Sequence, residues 1–346
     1  MPDPLVHLIE QMAENFFNAI VPLAWVVDGI PALARLPGWL PGMSFKKTAD
    51  AWREVTTMTT EIPYGFARQH AVAAASQPTL VSQLVENCTS KDPEQGLGYE
   101  DEKVIKVVTA AMYAGAAETT ISSLNTFVLA MLKFPEVQRT AQEEIDRVIG
   151  TGRLPDYEDR ESLPYVDALV KEALRWWPVA PLGVPHRTDE DIEFRGYFIP
   201  KSSIVVPGVW WFLHDPEVYR DPDLFDPTRF LPPRNEPDPN TVAFGFGRRI
   251  CPGRFLADAS IFLTLAQMLA TFDMQKAVDA DGHVIEPPAE STPGTVDNPK
   301  PFPYRLTPRS EAHQELIRSV EREYPWERSD AENLGNKDFL QRIGAM

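Results

Sequence analysis

Cysteine is nearly absent from this chain: 346 residues contain two, Cys88 and Cys251. Two thiols so far apart in sequence make no disulfide framework, and they suit a reducing compartment. Cys88 reads as a free structural thiol. Basic residues are also scarce, 33 Lys and Arg against 50 Asp and Glu, for a formal charge of −17. Such a balance argues against any nucleic-acid partner, since that contact is driven by phosphate neutralisation. Long apolar runs are missing too. The most apolar early stretch, Phe16 to Val27, is interrupted by Asn18 and Pro22 and stops at Asp28, short of the ~20 residues a spanning helix needs. It suits either a dip into a membrane surface or a buried core segment. Met1-Pro2-Asp3-Pro4 offers no basic start to a signal peptide. There are no internal repeats.

Proline, by contrast, is abundant. The 33 prolines punctuate the chain, so a proline-free interval carries meaning. Between Pro93 and Pro135, Val104, Val107, Val108, Ala111, Met112, Gly115 and Thr119 fall mostly three and four apart, which predicts a long helix. About 30 residues at ~1.5 Å each span on the order of 45 Å, so this helix is expected to lie centrally. Pro135-Glu136 opens a second helix through Val148, with Gly150 as its stop. Ser162-Leu163-Pro164 opens a third, ending before Pro178. Short strands are expected between Ile192 and Val206, where apolar residues alternate around Gly196 and the Pro200-Lys201-Ser202 turn. Residues 214–240 read as a long irregular loop, and the chain beyond Ser310 as a polar helix or tail. The expected class is mostly α with a small β component; 43% hydrophobic residues suffice for a sizeable core.

The remaining cysteine stands in Phe244-Gly245-Phe246-Gly247-Arg248-Arg249-Ile250-Cys251-Pro252-Gly253. A thiolate is a strong donor to soft or borderline metals, and its charge is held better beside cations and backbone N–H groups. The glycines let such a loop lie close to a flat partner. The apolar run from Phe255 to Leu265 reads as a buried helix with its positive dipole end toward the sulfur. One thiol cannot build a structural zinc site, but it can be the single axial ligand of a haem iron. The same residues also suit a glycine-rich loop with an inert cysteine ahead of a core helix.

Phe244-x-x-Gly247-x-Arg249-x-Cys251-x-Gly253 resembles the haem-binding loop of the cytochromes P450, matching every fixed position. Other segments carry the same resemblance. Glu172-x-x-Arg175 places two charges on one helix face, where a solvated pair is the ordinary outcome. It resembles the family's Glu-x-x-Arg signature, and Arg229 in Phe225-Asp226-Pro227-Thr228-Arg229-Phe230 matches the arginine that completes that network. Ala114-Gly115-Ala116-Ala117-Glu118-Thr119-Thr120 resembles the family's oxygen-activating motif, with Ala116 where glycine is more usual. Apart from the resemblance, its threonines suit hydroxyls bonded back to the preceding turn.

The resemblance implies a cytochrome P450 fold over residues 1–310, with 311–346 a polar C-terminal extension, and a kinship with fungal microsomal monooxygenases. It implies haem b as cofactor, with iron on the Cys251 thiolate, in a loop that includes Phe244, Gly247, Arg249 and Gly253. Gly115 would flank the groove for dioxygen, with Glu118 and Thr119 assigned to proton delivery. His186 and Arg249 would hold haem propionates, and Val179 to Val184 would line the substrate pocket, joined by the turn Ser291 to Val296. The implied reaction inserts one oxygen atom of O₂ into a small apolar organic substrate, in secondary metabolism. Electrons would come from NADPH through NADPH–cytochrome P450 reductase, docking near Arg248, Arg249 and Arg254. The implied place is the cytosolic face of the endoplasmic reticulum membrane.

One expected motif is missing. None of the eight tryptophans has Arg or Lys four residues later, so the family's Trp-x-x-x-Arg helix is not found. The pattern matched here begins in the middle of the family's, and the chain reads as N-terminally truncated. The alternative is a non-catalytic fragment that binds haem poorly.

Overall fold

The structure, a computed structural model, describes residues 3–21, 23–70, 78–90, 96–292 and 294–325, without the side chains of 69 and 70. The chain divides into two compact units, Met1–Glu118 and Thr119–Trp326. The division falls inside one helix.

Every regular element among the described residues of the first unit is a helix. Helix α1 (Pro4–Ala19) begins where Asp3 caps it, accepting from the Leu5 N–H at 2.8 Å, with proline at the first helical position. A proline there costs nothing because its missing N–H has no helical partner anyway. After α2 (Val26–Gly29) comes α3 (Ser44–His70), whose Val55, Met58 and Ile62 cover buried Leu8 of α1. Helix α4 (Leu80–Thr89) is capped by Thr79 and sends Val81 against Tyr64 and Ala67 of α3 and Ile105 of α5 (Tyr99–Lys133). Cys88 packs at the edge of that cluster as a free, half-buried thiol. Lys106 reaches across to Glu61 at 2.8 Å.

The large core belongs to the second unit. Phe127 to Leu132 of α5 are buried together with Val137, Ala141 and Ile145 of α6 (Pro135–Val148) and Val166, Leu169 and Val170 of α7 (Pro164–Trp176). Each Val, Leu, Ile, Phe or Met among them contributes ~1.5–3 kcal/mol when fully buried. Glu144 of α6 accepts from the Tyr165 and Val166 N–H groups at 2.9 and 3.0 Å, so a carboxylate from a neighbouring helix caps α7 and meets its positive dipole end.

The β component is three separate antiparallel pairs. Strand β1 (His186–Arg187) pairs with β4 (Ile204–Val205), and β2 (Ile192–Phe194) pairs with β3 (Tyr197–Ile199). Then come α8 (Val209–His214), α9 (Asn240–Ala243) and α10 (Arg254–Thr271). Ile261, Phe262, Leu265, Ala266 and Leu269 of α10 complete the core. Strand β5 (Phe272–Lys276) leaves it directly and pairs with β6 (Tyr304–Pro308), which leads into α11 (Glu311–Glu323). Gln138 of α6 staples β5 from the side, its amide donating to the Met274 carbonyl and accepting from the Met274 N–H, at 3.0 and 2.8 Å.

The expected helices and the strands between 192 and 206 are present. Strands β5 and β6 were not anticipated. Residues 214–240 are irregular except for the last residue of α8, the first of α9 and a short 3-10 helix, Pro227–Phe230. Three burial expectations need correction. Phe16, Ile20, Leu23 and Val26 are exposed, so the early apolar stretch is not a core segment. The first half of α5 leaves Val104, Val107, Val108 and Met112 exposed and buries Ile105 in the smaller cluster, so only its second half joins the large core. The first turn of α10 exposes Phe255 and Leu256, and that helix is buried only from Ile261 onward. Beyond Ser310 the polar segment forms α11; residues 326–346 lie outside the described part.

Candidate functional site

The cysteine loop is closed by its own backbone. The Cys251 N–H donates to the Phe244 carbonyl at 2.8 Å, drawing the two ends of an eight-residue excursion together. Gly245 and Gly247 hold φ of +79° and +59°, left-handed values that favour glycine. A 3-10 turn, Gly247–Arg249, fills the excursion. The tight exit through Pro252 and Gly253 sets Cys251 just ahead of α10, and a Cβ added to Gly253 would lie 3.9 Å from the Cys251 Sγ. Among the described residues the sulfur has no hydrogen-bond partner, and it is half-exposed.

Its surroundings suit a large flat ligand. No atom lies within 4 Å of where a Cβ would stand on Gly245 or Gly247, so the loop offers backbone with open space beside it. Phe246, Phe255 and Leu256 from the same stretch are exposed. Arg248 and Arg249 are exposed, and the Arg254 guanidinium lies 4.4 Å from the Phe255 ring centroid. A soft sulfur donor with neighbouring cations, glycine backbone and uncovered aromatic surface is a donor set that fits haem.

The same unit holds a fully buried ionic cluster. Arg175 donates to Glu172 through Nε at 2.7 Å and Nη2 at 2.9 Å, and Arg229 donates through Nε at 3.0 Å. The Asp226 N–H adds a fourth donor at 2.8 Å. All three charged side chains have zero exposure. Burial pushes the Glu172 carboxyl up, while Arg175 and Arg229 pull it toward the ionised form. The helical i, i+3 pair is thus a buried one rather than the solvated pair its spacing alone suggests.

The residues of the Gly115–Thr119 segment divide between the units. Gly115 is exposed and Glu118 half-buried in the first. Burial raises the Glu118 pKa, and Glu10 and Glu14 raise it further. Both effects favour the protonated form. Thr119 begins the second unit, half-buried, and its carbonyl accepts from the Ser123 hydroxyl at 3.3 Å. His186 is exposed in β1, opposite Val205. Leu182 and Val184 are exposed, Val179 half-buried. Within the turn Ser291 to Val296, Pro293 lies outside the described residues.

Asp297 escaped sequence reading. Its N–H donates to the Val179 carbonyl at 2.8 Å, and its carbonyl accepts from the Ser122 hydroxyl of α5 at 2.7 Å. It therefore ties together α5, the 179–184 run and the turn that ends at Val296. Burial pushes its carboxyl up, against the pull of Trp177 and Ser291. Backbone contacts of this kind leave no signal in residue type.

A mostly helical unit that presents one thiol on a glycine loop and holds a buried Glu-Arg-Arg cluster defines a haem-thiolate class of protein. The family model described as Cytochrome P450 matches residues 8–304, and the chain belongs to the cytochrome P450 family. It is 49% identical over 334 residues to the cytochrome P450 monooxygenase CLM2 of Gibberella zeae, covering 96% of this chain and 63% of that protein. It is 45% identical over 323 residues to the multifunctional cytochrome P450 monooxygenase af510 of Aspergillus fumigatus, covering 93% and 60%. An O-methylsterigmatocystin oxidoreductase of Aspergillus flavus is 38% identical over 343 residues, covering 98% and 63%. The chain thus spans less than two thirds of the length of these relatives. The family's cofactor is haem b, bound through an axial cysteine thiolate.

Proposed function

We propose that this chain carries the haem-thiolate half of a monooxygenase that inserts one oxygen atom of O₂ into a small apolar organic substrate. One observation carries the reading: the half-exposed Cys251 sulfur on a loop closed by its own backbone, with no protein partner among the described residues. Residues 1–310 are assigned to the P450 part and 311–346 to a C-terminal extension, a division supported by the end of the family match at residue 304.

Cys251 would hold the iron, with Phe244, Gly247 and Gly253 shaping the loop around it. His186 and Arg249, both exposed, would donate to the propionates as charged or ring N–H groups. Bound haem supplies dioxygen activation and one-electron chemistry. The chain's own part is to position and to move protons. Glu118 is held toward its protonated form, as a proton donor requires, and Thr119 would orient the acceptor side of that path. Gly115, without a side chain, would leave room beside it.

Electrons would come from NADPH through its P450 reductase, and the exposed cations Arg248 and Arg249 support a docking face there in a chain of net negative charge. The exposed apolar residues Phe16, Leu23, Val26, Ile30 and Trp39 support contact with a membrane surface, at the cytosolic face of the endoplasmic reticulum. No helix among the described residues is long and apolar enough to cross a membrane. A place in secondary metabolism follows from the oxidoreductase of Aspergillus flavus named for O-methylsterigmatocystin.

The test is spectroscopic. The chain supplied with haem, reduced and treated with carbon monoxide, is expected to give the thiolate-type Soret band, and Cys251→Ser to lose it. A wild-type chain without that band, or a serine variant that keeps it, sinks the assignment.

A further inference from the structure

A second set of charges, separate from the Glu172 cluster, brackets the cysteine loop on both sides. Arg160 stands in the last turn of the short 3-10 helix Tyr157–Ser162. Its guanidinium grips Asp258 of α10 with two bonds, Nη1 to Oδ2 at 2.5 Å and Nη2 to Oδ1 at 3.0 Å. Its Nε donates to Asp167 of α7 at 2.8 Å. The same guanidinium lies 5.0 Å from the Phe262 ring centroid. Asp167 in turn holds Lys171 at 3.0 Å, and Lys171 reaches Asp238 at 3.5 Å.

The chain of charges therefore runs Asp258, Arg160, Asp167, Lys171, Asp238. Asp258 lies just past the loop, in the second turn of α10. Asp238 lies just before it, accepting from the Asn240 N–H at 2.9 Å at the start of α9. Both flanks of the segment Phe244–Gly253 are thus tied to one helix, α7. The four side chains from Asp258 to Lys171 are each about a quarter exposed or less, and the Arg160 contact to Asp258 is bidentate. Isolated exposed ion pairs contribute little, but a bidentate arginine in a half-buried network holds geometry. Burial works against the Arg160 charge, and the bonds from Asp258 and Asp167 more than offset it, so the guanidinium stays charged.

We propose that Arg160, seconded by Lys171, is a positioning residue for Cys251: it fixes the spacing between α7 and both ends of the thiolate loop, and so sets where the sulfur stands. The proposal rests on the haem-thiolate reading for its consequence, but its structural half does not.

The experiment uses the full 346-residue chain as wild type, Arg160→Ala, Arg160→Lys, Lys171→Met and the swap Arg160→Asp with Asp258→Arg. Amide hydrogen exchange is read without haem. In Arg160→Ala, amides from Phe244 to Asp258 are expected to exchange about 10- to 100-fold faster, the factor for one or two lost charge-assisted bonds. The β5–β6 amides should be unmoved. Lys171→Met should loosen residues 238–244 more than 254–258, and the swap should restore part of the protection. With haem added, the thiolate-type fraction of the reduced carbonyl spectrum should fall in the order wild type, Arg160→Lys, Arg160→Ala. Unchanged exchange across the loop in Arg160→Ala overturns the proposal. So does an equal rise in exchange throughout the second unit, which would make Arg160 merely structural. A wild-type chain without a thiolate band defeats the haem-thiolate reading instead, while the exchange result still decides the bracket.

Discussion

Removing the Glu172 carboxylate is the sharpest test of how this chain holds its second unit together. In Glu172→Ala, Arg175 loses both of its bonds to the carboxylate and keeps only the Leu213 and Leu224 carbonyls, at 3.0 and 3.2 Å. Its Nε then faces no acceptor. Arg229 is better insured, since it retains Glu236 at 2.7 Å and three carbonyls. The Asp226 N–H loses its acceptor as well. The stranded charge is therefore Arg175, and breaking a buried pair from one side costs ~3–5 kcal/mol. That is a large share of the ~5–15 kcal/mol that stabilises an ordinary domain. With a urea dependence of ~3 kcal/mol per molar, the unfolding midpoint should fall by about 1–2 M. Circular dichroism during urea titration measures it.

Two companion variants sharpen the result. Glu172→Gln keeps an oxygen that can accept from Arg229, Arg175 Nη2 and the Asp226 N–H. Its amide nitrogen, however, meets the Arg175 Nε donor to donor, so an intermediate loss is expected. Glu172→Met combined with Arg175→Met removes both charges, and should recover much of the stability that Glu172→Ala forfeits. A Glu172→Ala midpoint equal to wild type would refute the reasoning, because only a solvated pair tolerates that loss.

Thr119→Ala, in the enzyme reconstituted with its reductase, should lower product formed per NADPH consumed while changing haem content little; an unchanged ratio removes Thr119 from proton delivery. Gly183→Ala should destabilise by ~1–3 kcal/mol in thermal unfolding, since a Cβ at φ +57° would stand 2.5 Å from the Pro207 side chain. Asp159, capping the 3-10 helix that carries Arg160, has its pKa lowered from 3.8 to about 2, chiefly by the Arg153 hydrogen bond. A depressed carboxyl stabilises above its unfolded value and loses that effect as pH falls toward its folded one. The stability gap between wild type and Asp159→Asn should therefore be full above about pH 5 and close as pH approaches about 2; a pH-independent gap would mean that ionisation of Asp159 is not involved.

The elements that sequence reading located are those whose signals are local. Pro164 and Ser162 mark the start of α7 within three residues, and proline-free spacing marks the length of α5. The glycines and the cysteine of residues 244–253 lie in one short stretch, so the proposed axial ligand is visible without any fold. Burial is a different matter. Val104, Val107, Val108 and Met112 repeat at helical spacing as well as Phe127, Val128 and Met131 do, yet the first set is exposed and the second buried. Periodicity shows which side chains seek cover and says nothing of what covers them. The same limit applied to Phe255 and Leu256, read as core and found exposed.

Contacts far apart in sequence were out of reach for a further reason. Arg160 and Asp258 are separated by 98 residues, and each taken alone is an ordinary polar residue on a helix. Asp297 joins Val179 and Ser122 through backbone and hydroxyl groups that many other residues could offer. An axial thiolate is a side-chain requirement that one residue type in one short loop can meet, so the proposed ligand is legible in the sequence. The junction of α5, the 179–184 run and the turn before Asp297 is held by carbonyl, N–H and hydroxyl groups that many residues could offer. The shape at that junction depends on how the three segments meet, which is why a ligand loop can be proposed from ten residues and a substrate cannot.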